Sequence, residues 1–164
     1  MRLRRTARVL LLDPAQRILL MKGRLPTKPE GPAAWFTIGG GAEPGESLEA
    51  AARREVREET GATDFTLGPI VWTGEIAAFT RSGADLLVQE SYFIAHSAAF
   101  DPSRAGWQAL EREFIDDMRW WALADILASG ELFYPLELAR LLPDVIAGRT
   151  PGAPITLAPR RVAR

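Results

Sequence analysis

Apolar residues along this chain fall in short runs divided by polar turns, and one stretch has helical spacing. Residues 7–12 are an apolar run that stops at Asp13-Pro14-Ala15-Gln16, and residues 17–21 are a second run. Two such runs around a turn predict a hairpin or two neighbouring strands. Residues 22–34, rich in Lys, Pro and Gly, read as a loop, and residues 35–38 as a short strand running into Gly39-Gly40-Gly41. Residues 47–60 form the clearest helix, with Pro44-Gly45 before it and Gly61 after it. Ser47 is its expected N-cap, and Glu49 suits the positive end of the helix dipole. Further strands are predicted over 67–79 and 86–95, joined by a turn at 81–85, and over 118–121. Residues 123–128 and 136–146 have helical patterns, with Pro135 at the second helix's start. From Gly148 onward the chain is rich in Pro, Gly and Arg. The organisation expected is one domain over 1–148 and a C-terminal tail over 149–164. Strands and helices mix without a βαβ rhythm, which points to a mixed sheet with helices packed on it.

The helix over 47–60 has an unusual face. At 100° per residue, Leu48, Ala51, Ala52, Glu55, Glu58 and Glu59 share one arc, and Arg53 and Arg57 lie opposite. The stripe that should face the core therefore turns acidic in its last two turns. Like charges at these spacings repel, and Glu58 and Glu59 also stand at the negative end of the dipole. Each effect is about 0.3–1 kcal/mol when exposed and grows with burial. A bound divalent cation reverses the sign of every one of these terms, and oxygen donors select a hard ion. A charge run usually faces water. Here the arginines mostly point away from the carboxylates, which argues against a solvated face. Arg54 is the exception, four residues before Glu58 and beside the acidic arc. The glycine run, about a dozen residues earlier, lets backbone approach a ligand and can offer a carbonyl or a phosphate-facing N–H.

Composition narrows the setting. The chain has 164 residues, a net charge of −1 and no cysteine. The near-zero charge gives no overall field for nucleic acid or membrane. The absent cysteine removes disulfides and thiolate metal sites. Asp13 and Pro14 cut the first apolar run too short for a signal peptide, and no stretch reaches membrane-spanning length. A cytoplasmic protein is expected, with no DNA or membrane partner and with homodimerisation possible.

Gly40, Glu46, Arg54, Glu55, Val56, Glu58, Glu59, Gly61 and Ala62 resemble the Nudix box, G-x5-E-x7-R-E-U-x-E-E-x-G-U, with U bulky and apolar. All seven fixed Gly, Glu and Arg positions are present at the right spacing. At roughly one in fifteen per position, chance gives such a match on the order of once in 10⁸. Ala62 is smaller than the usual residue, which weakens a packing contact and leaves the chemistry intact. The Trp35-Phe36 lead-in and the late Arg119-Trp120-Trp121 segment are also similar to Nudix domains.

The resemblance implies an α/β fold, a Nudix-like α/β/α sandwich with a mixed sheet. It implies Mg²⁺, with Mn²⁺ as a substitute, held by Glu55, Glu58, Glu59 and the backbone carbonyl of Gly39. Gly39, Gly40 and Gly41 would approach the substrate. Arg54 would orient a catalytic carboxylate, and Glu46 would support the loop–helix junction through a charge contact. The activity implied is attack of water on phosphorus in a diphosphate linkage of a small nucleotide-like substrate, a nucleoside diphosphate linked to another group. Such a reaction asks the protein for positioning and charge neutralisation. The general base would be Glu55 or Glu58 within the box, or a carboxylate before the late Trp pair, for which Glu113 is first, with Glu111 and Glu90 behind it.

Other residues carry weaker signals. His96, the single histidine, reads as a surface or packing residue, and the five tryptophans mostly as core. Lys22, Arg24 and Lys28 lie where they can meet phosphates, although solvated loop charge is the plainer reading. Arg160, Arg161 and Arg164 are too short a run for nucleic acid binding. Two other functions compete. A nucleotide-sensing module without turnover would favour degenerate box glutamates, and none occur. A diphosphate isomerase of related fold would usually need cysteine or extra glutamate motifs.

Overall fold

The computed structural model describes residues 1–163, and the apolar runs pair there into one mixed sheet. In chain order the elements are β1 (Arg2–Leu12), β2 (Ile18–Gly23), β3 (Ala34–Gly41), α1 (Leu48–Thr60), β4 (Phe65–Phe79), β5 (Asp85–Ser97), α2 (Ala109–Phe114), β6 (Ile115–Trp121), α3 (Leu123–Ala128), β7 (Phe133–Tyr134), α4 (Leu138–Ile146), β8 (Ile155–Thr156) and β9 (Arg160–Arg161). The strand order is β6-β2-β3-β1-β5-β4-β8, with β7 on β3 and β9 on β4.

β1 lies in the middle, antiparallel to β3 (Val9 opposite Ile38) and parallel to β5 (Leu10 opposite Ile94). A central strand buried on both faces needs apolar residues at every position, which is why residues 9–12 do not alternate. Its successive side chains divide between two cores. Ala7, Val9 and Leu11 pack with Ala51, Ala52 and Val56 of α1. Leu10 and Leu12 pack with Ile126 of α3 and with Leu138, Leu141, Leu142 and Val145 of α4. The result is an α/β/α sandwich. Among the described residues no helix is long and apolar enough to cross a membrane.

Several elements differ from the sequence expectation. β1 begins at Arg2 rather than residue 7, because β5 pairs with its whole length from Arg2–Leu86 to Leu12–His96. Residues 109–114, to which the sequence pattern assigns no element, form α2. α4 starts at Leu138 rather than 136, with Glu137 as N-cap. The segment after Gly148 returns to the sheet: β8 and β9 pair with β4, and Leu157 between them is buried at 5% exposure. One apolar side chain in a Pro- and Gly-rich stretch gives no periodicity, so only the pairing partner reveals it.

Candidate active site

α1 is held at both ends by local bonds. Ser47 Oγ accepts from the Ala50 amide at 3.0 Å. Gly61 adopts φ 77°, a conformation glycine takes at no steric cost, and its amide donates to the Arg57 carbonyl at 2.9 Å. Trp107 Nε1 donates to the Glu59 carbonyl at 2.6 Å, so the loop before α2 caps the same end. The expected acidic face is turned inward: Glu55 and Glu59 are buried, at 7% and 4% exposure, and Glu58 is half-buried.

The glycine run sits against these carboxylates. The Gly39 amide, at φ 140°, donates to Glu59 Oε2 at 3.0 Å. A Cβ on Gly40 would stand 2.4 Å from Glu55 Oε1, so the bare backbone makes the room that Glu55 occupies.

Arg54 ties the loop to the helix. Its Nε and Nη2 donate to the two carboxylate oxygens of Glu46 at 2.8 and 2.9 Å, a bidentate pair. Nη2 also reaches the Gly41 carbonyl at 3.1 Å. Nη1 donates to Glu55 Oε1 at 2.8 Å and to Glu58 Oε2 at 3.3 Å. The Arg54 bonds, together with the Glu43 amide, hold the Glu46 carboxyl down to about 2.

The two buried acids, Glu55 and Glu59, are shifted in the same direction. Burial pushes Glu59 well above the usual carboxylate range and the charge of Glu55 adds to this, while the Gly39 amide and Arg8 oppose it. Burial also raises Glu55, against the pull of Arg54. Glu111 of α2 contributes to raising Glu59, so it stands within electrostatic reach of the cluster. Glu113 is exposed on the same helix. Glu90 is pinned as an anion. Burial alone would raise it, but Arg8, Arg160 and the Tyr92 hydroxyl lower it overall. That leaves it unsuited to accept a proton.

Among the described residues no three His, Cys, Asp or Glu side chains converge as a ready-made metal cage. Arg54 supplies the positive charge between Glu55 and Glu58 instead. The donor set nevertheless fits a hard divalent ion. It offers carboxylate oxygens only, two of them buried and destabilised as anions, on one helix face beside a carbonyl-bearing turn.

The other candidates lie further off. Lys22 pairs with Glu131 at 2.6 Å and Arg24 with Asp116 at 3.0 Å. Thr27 and Lys28 line a cleft of about 410 Å³ with Phe79, Thr80 and Arg81 of the β4–β5 hairpin tip. His96 is exposed at the end of β5. Sequence reasoning missed Trp107 and Arg8. The first had no distinguishing spacing. The second did carry a signal, because arginines recur at even positions before the apolar part of β1.

Comparison with known proteins agrees with this geometry. The NUDIX domain pattern matches residues 2–142. A nucleoside triphosphatase, NudI of Escherichia coli, is 34% identical over 96 residues, covering 58% of this chain and 67% of its own. A NUDIX hydrolase from Nitrosomonas europaea superposes with TM-score 0.58 at 25% identity, covering 90% of each chain. A MutT protein from Methanosarcina mazei Go1 gives TM-score 0.60 at 20% identity over 90% of this chain and 95% of its own. With the box intact and the pattern spanning most of the sequence, the chain belongs to the Nudix family and is one of its pyrophosphohydrolases.

Proposed function

We propose that this enzyme is Mg²⁺-dependent and cleaves the diphosphate linkage of a nucleoside diphosphate joined to a further group, in the cytoplasm. The observation that carries the reading is the burial of Glu55 and Glu59 together against Gly39 and Gly40. Two adjacent acids kept out of water with raised proton affinity are costly unless a cation is taken up. The similarity to a protein named as a nucleoside triphosphatase supports a nucleotide substrate.

Glu55, Glu58, Glu59 and the Gly39 carbonyl are the groups that would hold the ion. When bound, it supplies charge neutralisation at the phosphoryl oxygens and lowers the pKa of water. Arg54 holds Glu46 by two bonds and each of Glu55 and Glu58 by one, so its anchor to the loop is independent of the acids it orients. The attacking water must give up a proton as the P–O bond forms and the phosphate-bearing fragment departs with the electron pair. Glu111 is the proposed acceptor, in place of Glu113, because its charge acts on Glu59.

The test is phosphate or nucleotide release with Mg²⁺ from a panel of nucleoside triphosphates, dinucleoside polyphosphates, sugar nucleotides, ADP-ribose and capped RNA. Turnover of at least one class is expected, with Glu58→Gln losing most of it. No release from any of them, or full rate in the variant, overturns the reading.

A further inference from the structure

The even positions of β1 read Arg2, Arg4, Thr6, Arg8, Leu10, Leu12. Leu10 and Leu12 lie in the core under α3 and α4, so alternation puts Thr6 and the arginines on that face, opposite α1. The stripe turns from apolar to basic beside the glycine run: Arg8 is paired with Gly39, and Thr6 with Gly41. A Cβ on Gly41 would stand 2.7 Å from Arg4 Nε, so the Arg4 guanidinium lies where a side chain would otherwise be. Gly40 makes room for a carboxylate on one face of this backbone layer, and Gly41 for a guanidinium beside it.

The charges here do not balance. Arg8 Nε donates to Glu90 Oε1 at 3.0 Å, and its Nη1 to the Gly39 carbonyl at 3.3 Å. Arg160 Nη2 and the Tyr92 hydroxyl both donate to Glu90 Oε2 at 2.8 Å. One carboxylate thus serves two guanidiniums, and the Arg4 guanidinium stands beside them with no hydrogen bond or ion pair to the described residues. Arg8 and Arg2 repel Arg4, while Glu55, across the glycine layer, attracts it. Thr6, 2% exposed and between Arg4 and Arg8 on the strand, has a hydroxyl oxygen with no partner among the described residues. Surplus cations around a buried, unsatisfied hydroxyl are the complement of an anion with several acceptor oxygens.

We propose that Arg4 and Arg8, with Thr6 between them, seat a further phosphoryl group of the substrate, beyond the two joined by the attacked linkage. The enzyme then favours nucleoside triphosphates over diphosphates joined to an uncharged group. This rests on the pyrophosphohydrolase reading. Arg8 touches the carbonyl of Gly39, the glycine whose amide holds Glu59, so a group seated there adjoins the reacting linkage. A sugar in the same place gains nothing from the surplus positive charge.

Arg4→Gln is the variant of choice, because Arg4 is exposed and anchors no other described residue. The first measurement is calorimetric titration with inorganic tripolyphosphate in the presence of EDTA. Wild type binds, and Arg4→Gln binds about tenfold more weakly, the loss of one charge-assisted contact. The second is steady-state kinetics with a nucleoside triphosphate and with ADP-ribose. Arg4→Gln raises KM for the triphosphate about tenfold with kcat within about twofold, and leaves KM for ADP-ribose within about twofold. Arg8→Lys, which keeps a cation beside Glu90, shifts the triphosphate KM in the same direction. Equal tripolyphosphate binding by wild type and Arg4→Gln, or equal KM shifts for both substrates, overturns the seat. If wild type hydrolyses no nucleotide, the hydrolase reading fails, and the tripolyphosphate titration still decides the seat.

Discussion

Gly40 and Glu55 share a space that only one side chain can fill, since a Cβ on the glycine would lie 2.4 Å from Glu55 Oε1. The obstacle is the far end of a side chain, so Gly40→Ala can fold by pushing the carboxylate aside. Displacing an acid from the cluster by about 1 Å costs on the order of 10²-fold in rate. Gly40→Ala is expected to keep Tm within a few degrees and lose kcat by that order. Gly39→Ala differs. Its Cβ would meet the Ala7 carbonyl at 2.1 Å and its φ is 140°, so backbone must move. There the loss is in stability, roughly 1–3 kcal/mol. Melting curves and initial rates for the two variants separate the effects.

Glu59 makes stability depend on pH with a definite sign. Its folded pKa is raised, first by burial and then by Glu55, so the folded protein holds a proton that the unfolded chain releases near about 4.3. The stabilisation is therefore complete below that value and is lost as pH rises through the folded pKa. Melting temperature in EDTA is expected to fall across this window, and Mg²⁺ affinity to rise across it, because the ion displaces the proton. Glu59→Gln should raise Tm in EDTA at pH 8 and abolish the Mg²⁺-induced increase. A flat wild-type Tm profile in EDTA would count against the buried acid.

Arg54→Lys removes the fork and keeps the charge. A lysine cannot span both Glu46 oxygens and also reach Glu55, Glu58 and the Gly41 carbonyl. The expected outcome is a fall in kcat of about 10–100-fold with KM nearly unchanged, since the contact positions acids rather than substrate. A KM effect of the same size would show that Arg54 contacts substrate instead.

Glu111 and Glu113 occupy one short helix and differ in what they meet. Glu111→Gln is expected to lower kcat by about 10²–10⁴-fold, read from initial rates under saturating substrate. Glu113→Gln, on an exposed residue, should stay within about twofold of wild type. Equal losses in both variants, or full rate in Glu111→Gln, would reassign the base.

The parts of this molecule that announce themselves in sequence share one property: their spacing is local. The α1 wheel placed Glu55 and Glu59 inward and Arg53 and Arg57 outward from residues at most twelve apart, and the central apolar run of β1 showed burial on two sides. What stayed hidden depends on contacts between distant segments. Arg8 and Glu90 are 82 positions apart and meet only because β1 and β5 are parallel neighbours. Glu111 and Glu113 differ in exposure through the helical rotation of α2, a helix too short to show a periodic pattern. β8 and β9 exist because β4 offers an open edge, which no spacing within residues 149–163 encodes.

The glycine run at the end of β3 leaves a wall one backbone thick, with an acidic chamber on one side and a basic one on the other. Which chamber a residue enters is decided by odd or even numbering along β1 alone. Inserting one residue between Arg8 and Leu10 would send Arg8, Thr6 and Arg4 into the carboxylate chamber without altering a single amino acid's identity. In this region strand length is thus a coding variable in its own right, and natural variants should tolerate substitutions there more readily than insertions or deletions.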